Sequence, residues 1–303
     1  MNPTLKHFSF KAMGSFCEIQ LFDTSRIRAK NIVKQLTDEV ARLEKKYSRF
    51  RKDSFLSKIN ASAGNKLGLA IDDETQSLIT HAMNCFEQSD GLFDITAGAL
   101  NEIWDFKKAL VPSQSQINAA RALVGLHKIS CKNSHIHLPR DMQIDFGGIV
   151  KEYAADSVAR LARSLGAEHG LVNLGGDFSV IGPQPRGKPW TVGISSPISD
   201  AGIMAKINLD DGGLASSGDY ERFFMHEGLR YSHILNPMTG WPSDGLRAVS
   251  IAANLCSIAG SAATIAMLMD ELEAKTWLED SGLSYVYMDS EEVIGSAALH
   301  AKN

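Results

Sequence analysis

Residues 143–182, QIDFGGIVKEYAADSVARLARSLGAEHGLVNLGGDFSVIG, set two glycine pairs on either side of one amphipathic helical pattern. No other stretch restricts the fold as much. Glycine enters the positive-φ backbone of tight turns without a Cβ clash, so each pair marks a sharp reversal or a close backbone approach. Between them Ala154, Val158, Leu161 and Leu165 recur at helical spacing, which predicts a helix from about Lys151 to Leu165 with Gly166 as its stop. Leu171–Leu174 then restarts an extended pattern, with strands expected on both sides of Gly175-Gly176. The passage reads as a β-turn-α-β unit.

The remaining chain supplies elements of both kinds. Phe16–Phe22 alternates like a strand, and residues 25–47 read as a helix with Ile27, Val33, Leu36, Val40 and Leu43 on its apolar stripe. Residues 73–89 and 115–123 predict further helices, and Lys128–Ile136 predicts strands around a turn. TVGIS, Ile203–Leu209 and Leu214–Gly218 read as strands, with Gly212-Gly213 as a turn. The apolar run Ile258–Met269 is too short for a bilayer and predicts a buried helix. No repeat or clean linker divides the 303 residues, so one domain or two intimately packed lobes, covering 1–303, is expected.

Composition removes several function classes. A chain with 44% hydrophobic and 22% charged residues can fill a large core, and its formal charge of -4 gives no global attraction for nucleic acid. Cys17, Cys85, Cys131 and Cys256 lack the paired short spacing of zinc or redox sites and read as mostly buried thiols. The first residues, MNPTLKHFSFKAMG, have no apolar h-region, and no later segment reaches membrane length. The chain as given therefore reads as cytoplasmic, or as periplasmic if an upstream export segment has been removed.

Four constellations carry chemistry. Asp145-Phe-Gly-Gly-Ile-Val-Lys151 puts a carboxylate before a turn and a helix start, where exposed N–H groups can receive phosphate oxygens. It matches neither the Walker A spacing nor GxGxxG, and Asp145 as a simple helix cap is the alternative. Asn173-Leu-Gly-Gly-Asp177 offers a second close approach with a carboxylate, or an ordinary strand turn. Ser216–Phe223 followed by Tyr231–Gly240 concentrates hydroxyls, an arginine and His233. His233 can exchange a proton near neutral pH, and Ser216 and Ser217 can hold phosphate oxygens. A hydrolase triad is the weaker reading, since no Gly-x-Ser-x-Gly elbow accompanies that histidine. Gly91-Leu-Phe-Asp-Ile-Thr-Ala-Gly98 sets Asp94 at a turn among apolar side chains that either line a planar ligand or simply connect core elements. Met13 either packs on an aromatic ring or fills core.

Taken in order, Met13-Gly14-Ser15, Tyr47-Ser-Arg-Phe50 with Ser57-Lys-Ile-Asn60, Phe93-Asp-Ile-Thr96, Asp145–Lys151, Asn173–Asp177, Ser217-Gly218 and Ser232–Gly240 resemble the motifs of the ApbE family of FAD:protein FMN transferases. They span nearly the whole chain. The resemblance implies an α+β fold with mixed or antiparallel sheets flanked by helices and a flavin cleft. It implies that FAD is the substrate and that FMN passes, with Mg2+ assistance, to a Thr or Ser hydroxyl of a flavoprotein acceptor, releasing AMP. By the same resemblance Met13, Leu92, Phe93, Asp94 and Asp145 contact FAD, and His233 is the general acid/base or phosphate-positioning residue.

One departure stands out: the family's late metal motif has Asp followed four residues later by Thr, and here those positions are Gly260 and Thr264. The Gly148 carbonyl and Thr264 hydroxyl remain as implied ligands, with Ser261 or Asp177 as candidates to alter the shell. Two other activities stay open at this point, a noncatalytic FAD-binding or delivery protein and an FAD pyrophosphatase.

Overall fold

A computed structural model describes residues 2–198, 202–220 and 222–297. The chain opens with β1 (Thr4–Ala12), β2 (Ser15–Asp23), α1 (Arg26–Tyr47), α2 (Phe55–Ala61), β3 (Leu69–Ala70) and α3 (Asp73–Gln88). It continues through α4 (Gly98–Ile103), α5 (Gln114–Ala122), β4 (Ser130–Lys132), β5 (His135–His137), α6 (Val150–Ser164), β6 (Gly170–Leu174) and β7 (Asp177–Gly182). Next come β8 (Trp190–Ser195), β9 (Ile203–Leu209), β10 (Gly213–Gly218), β11 (Phe223–His226) and β12 (Leu229–Ser232). The last elements are β13 (Ala248–Ala253), α7 (Cys256–Leu268), α8 (Glu271–Asp280), β14 (Ser284–Met288) and β15 (Ile294–Ala297).

The frame is an eight-stranded sheet in the order β1-β2-β6-β7-β10-β13-β14-β15, antiparallel at every junction. Side chains alternate across its faces, so the inner strands feed two cores. Cys17, Ile19 and Leu21 of β2, Val172 and Leu174 of β6, and Val249 and Ile251 of β13 join the larger core with α1, α6 and α7. Leu171, Val180, Leu214, Ala252 and Val286 face the other way and are covered by Val192, Ile194, Ile207 and Leu209 of the β8–β9 hairpin. A third cluster gathers Trp104, Ile117, Phe224 and Leu235, joining α4 and α5 to the β11–β12 hairpin.

The α+β class, the antiparallel sheet and the expected helices agree with the sequence reading, with two corrections. Ile27 is 75% exposed, because at about 100° per residue it lies across the helix from the stripe that Ala29, Ile32, Val33, Leu36, Val40 and Leu43 form. The β-turn-α-β reading also fails before α6. Residues 143–146 join no strand ladder; Ile144 N–H donates to Asn60 Oδ1 at 2.9 Å and Asp145 N–H to the Ile95 carbonyl at 2.7 Å. Among the described residues no helix is long and apolar enough to cross a membrane.

Candidate active site

The sheet register collects the glycine turns at one edge. Met13 (φ 50) and Gly14 (φ 72) close the β1–β2 hairpin between the paired Ala12 and Ser15, and two positive φ values give the turn whose twist suits adjacent antiparallel strands. Gly175 (φ 66) and Gly176 (φ 96) close β6–β7 in the same way, between Leu174 and Asp177. Because Cys17 pairs with Leu174, the two tips lie side by side, and Gly175 N–H donates to the Phe16 carbonyl at 3.1 Å. A Cβ on Gly175 would stand 2.6 Å from Ser15 Cβ, so the second glycine pair is a close-approach site as well as a turn. Pairing of Phe178 with Leu214 and of Gly218 with Ala248 brings Ser216-Ser217-Gly218 to the same end.

The loop after α3 meets Asp145. Ser89 Oγ accepts the Phe93 N–H at 2.9 Å, which holds the buried Phe93 in place. Asp94 Oδ1 accepts from Thr96 N–H (2.7 Å) and Thr96 Oγ1 (2.6 Å), while its Oδ2 accepts from Leu126 N–H at 3.0 Å. Asp145 Oδ1 accepts Gly147 N–H at 2.9 Å, and Oδ2 pairs with Arg49 Nη1 at 3.0 Å. Asp145 does not cap α6, whose N-cap position is Ile149. Phe93 lies 3.9 Å from the point where a Gly148 Cβ would be. Phe93, Asp94, Asp145 and Gly148 are therefore brought together. Leu92 lines a cavity of about 240 Å³ with Asn236, Thr239, Leu268 and Met269, which joins this loop to the Asn236–Gly240 loop.

His233 follows β12, and its backbone N–H and ring Nδ1 lie 3.0 and 3.2 Å from the Arg222 carbonyl. Stacked Phe224 and Tyr231, with centroids 5.3 Å apart, fix the hairpin that delivers it, and Trp104 Nε1 donates to the Gly240 carbonyl at 3.0 Å to fix the loop beyond. Desolvation raises the Asp219 carboxyl above its ordinary range, and the charges of Arg230, Arg247 and His233 oppose that rise. Arg230 reaches Asp219 at 3.3 Å and lies 3.8 Å over the Phe223 ring. Glu221, inside the same sequence run, lies outside the described residues.

Helices α6 and α7 run antiparallel, and their registration is explicit. Asp156 on α6 accepts from Cys256 N–H, Ser257 N–H and Ser257 Oγ at 2.9, 2.9 and 2.8 Å, which satisfies the otherwise orphaned donors at the start of α7. One turn back along α6, Glu152 faces Gly260, one turn along α7. Four residues before Glu152 stands Gly148, just outside α6, and four residues after Gly260 the half-buried Thr264. Burial, with Asp177 adding like charge, pushes the Glu152 carboxyl up to about 8. Asp177 itself pairs with Lys151 at 2.9 Å. Ser261 points elsewhere, against His81 Nε2 at 2.8 Å. Sequence reasoning passed over Glu152 and Arg230; the interruption at Gly260 was the signal that pointed toward the first.

Compared with models of known families, the chain matches that of the ApbE family over residues 13–287. The chain belongs to the ApbE family. This ApbE family member is 29% identical over 294 residues to the FAD:protein FMN transferase of Escherichia coli strain K12, covering 93% of this chain and 83% of that protein. Its identity to the transferase of the same name from Vibrio cholerae serotype O1 is 28% over 274 residues, covering 88% of this chain and 81% of that protein. The crystal structure of the ApbE protein of Thermotoga maritima superposes with a TM-score of 0.90 at 30% identity over 97% of both chains. The apo flavinyl transferase ApbE of Pseudomonas stutzeri does so with a TM-score of 0.88 at 27% identity, covering 98% of this chain and 96% of that one.

Proposed function

We propose that this protein transfers the FMN portion of FAD to a Thr or Ser hydroxyl of a flavoprotein acceptor. The ApbE match across residues 13–287, among relatives named FAD:protein FMN transferase, carries this reading. The acceptor oxygen forms a bond to the FMN phosphorus, the pyrophosphate bond to the adenylate breaks, and AMP leaves. His233 takes the hydroxyl proton, a general-base role that contributes on the order of 10²–10⁴ in rate. Met13, Leu92, Phe93, Asp94 and Asp145 position FAD. Asp94 acts mainly through the loop, because both its oxygens already hold backbone N–H groups.

Mg2+ fits the chain's own groups. The Gly148 carbonyl and the Thr264 hydroxyl are hard oxygen donors, and the buried Glu152 carboxyl, whose Oε2 has no hydrogen-bond partner, is a further oxygen donor that would give up its proton to a cation. When bound, the ion would neutralise phosphate charge.

Chromatography of AMP and FMN, with and without acceptor, tests the reading. AMP appearing only with acceptor supports transfer. Free FMN and AMP without acceptor would identify a pyrophosphatase, and bound, intact FAD in both cases a binding protein.

A further inference from the structure

Position 260 holds no side chain, and the space in front of it is filled. A Cβ built on Gly260 would stand 2.5 Å from Glu152 Cγ and 2.9 Å from both Glu152 Cδ and Oε1. No real Cβ comes so close, and the opposing atoms belong to a buried side chain with little room to shift. A side chain at 260 can enter only if the Glu152 side chain gives up its present place.

The Glu152 carboxylate is out of place as a purely structural group. It is 8% exposed, yet its Oε2 is fully buried and accepts no hydrogen bond. A buried carboxylate without a partner is costly, and such groups persist where a cation or proton completes them. Its basic neighbour Lys151 pairs with Asp177 at 2.9 Å and eases the Glu152 carboxylate by charge. Along α6 the Cα–Cβ bonds tilt toward the helix N-terminus, so Glu152 leans toward the turn that carries Gly148. Thr264 lies one turn from Gly260 on the same side, because Asp156 sets the opposite direction by holding the first residues of α7.

We propose that Glu152 is the carboxylate ligand of a divalent-cation site completed by the Gly148 carbonyl and the Thr264 hydroxyl, delivered from α6 into the space that the bare Gly260 leaves open. One carboxylate, one carbonyl, one hydroxyl and retained waters or phosphate oxygens are a donor set suited to Mg2+. The proposal rests on the metal-assisted reading above. It adds that the missing carboxylate at 260 has been exchanged between helices and has not been lost.

The test is Mn2+ binding by electron paramagnetic resonance in the presence of saturating FAD, with thermal melting as a folding control. The parent binds Mn2+, and Glu152→Gln folds but binds about tenfold or more weakly. Gly260→Asp alone melts lower and gains no affinity, because its side chain collides with Glu152. The exchange Glu152→Ala with Gly260→Asp restores binding toward the parent level. Unchanged Mn2+ affinity in a folded Glu152→Gln protein overturns the assignment of Glu152 alone. A Gly260→Asp protein that melts normally and binds Mn2+ more tightly overturns the claim that the two side chains share one space. A parent that binds no Mn2+ with FAD present overturns the cation site itself and the metal-assisted reading with it.

Discussion

Met13 sits in left-handed backbone (φ 50) at a two-residue hairpin turn, where Asn before Gly is the unstrained choice. A non-glycine residue there carries about 1–2 kcal/mol of backbone strain, and Asn relieves part of it because its short polar side chain tolerates this region. Against that relief stands the partly buried Met side chain packed on the large core, whose loss costs about 1 kcal/mol, roughly half the value of a fully buried one. The two terms nearly cancel. Met13→Asn is therefore expected to leave urea stability within about 1 kcal/mol of the parent at unchanged m-value. If the side chain is held at the tip to pack on FAD, the same substitution weakens FAD binding about tenfold, equivalent to about 1.4 kcal/mol of lost contact. Flavin fluorescence titration reads the second quantity. A variant that loses about 2 kcal/mol or more of stability while binding FAD like the parent would show that Met13 is ordinary core filler.

Three further outcomes follow from the geometry. His233→Ala should slow single-turnover acceptor labelling by about 10²–10⁴ with little change in FAD affinity, and parental labelling at saturating FAD would remove His233 from the chemistry. Asp94→Ala strips three hydrogen bonds from the 94–96 and 125–126 loops. It should lower stability by about 2–3 kcal/mol and weaken FAD binding together, whereas a loss of binding at full stability would mean that Asp94 touches FAD directly. Partial burial raises the Glu74 carboxyl, but hydrogen bonds from Arg42 and Lys46 outweigh that and hold it at about 2. A depressed carboxyl adds stability above its unfolded value of 4.5 that is lost as pH falls through about 2. Glu74→Gln should thus cost about 1–2 kcal/mol near pH 7, after solvent screening, and the gap between variant and parent in denaturant melts should close as pH falls below 4.5. A gap that stays constant with pH would refute the ion-pair account.

Local patterns made much of this fold legible. The stripe from Val33 to Leu43, the apolar α7 run and the glycine pair at 175–176 each name their element, because helical and strand periods and positive-φ turns are written in adjacent residues. Long-range pairing is not written that way. That β2 lies beside β6 follows from which apolar faces must share a core, and no nearby residue states it. The misplaced Ile27 and the strand expected before α6 were apolar residues assigned to a pattern that their neighbours did not support. At the site, Asp94, Asp145 and His233 were recognisable as members of an ordered motif set, whereas one of the three hydrogen bonds that fix Asp94 comes from Leu126, far along the chain. The Glu152–Gly260 contact was hidden for the same reason, since its two halves belong to different helices and only the registration set by Asp156 brings them together.

The central claim is covalent transfer, and intact-mass spectrometry of a flavoprotein acceptor incubated with this protein, FAD and Mg2+ tests it most directly. Transfer predicts an acceptor heavier by one FMN less water, with the increment lost when its target Thr or Ser is replaced by Ala. An acceptor of unchanged mass, while FAD remains bound and intact on a folded protein, would contradict the claim.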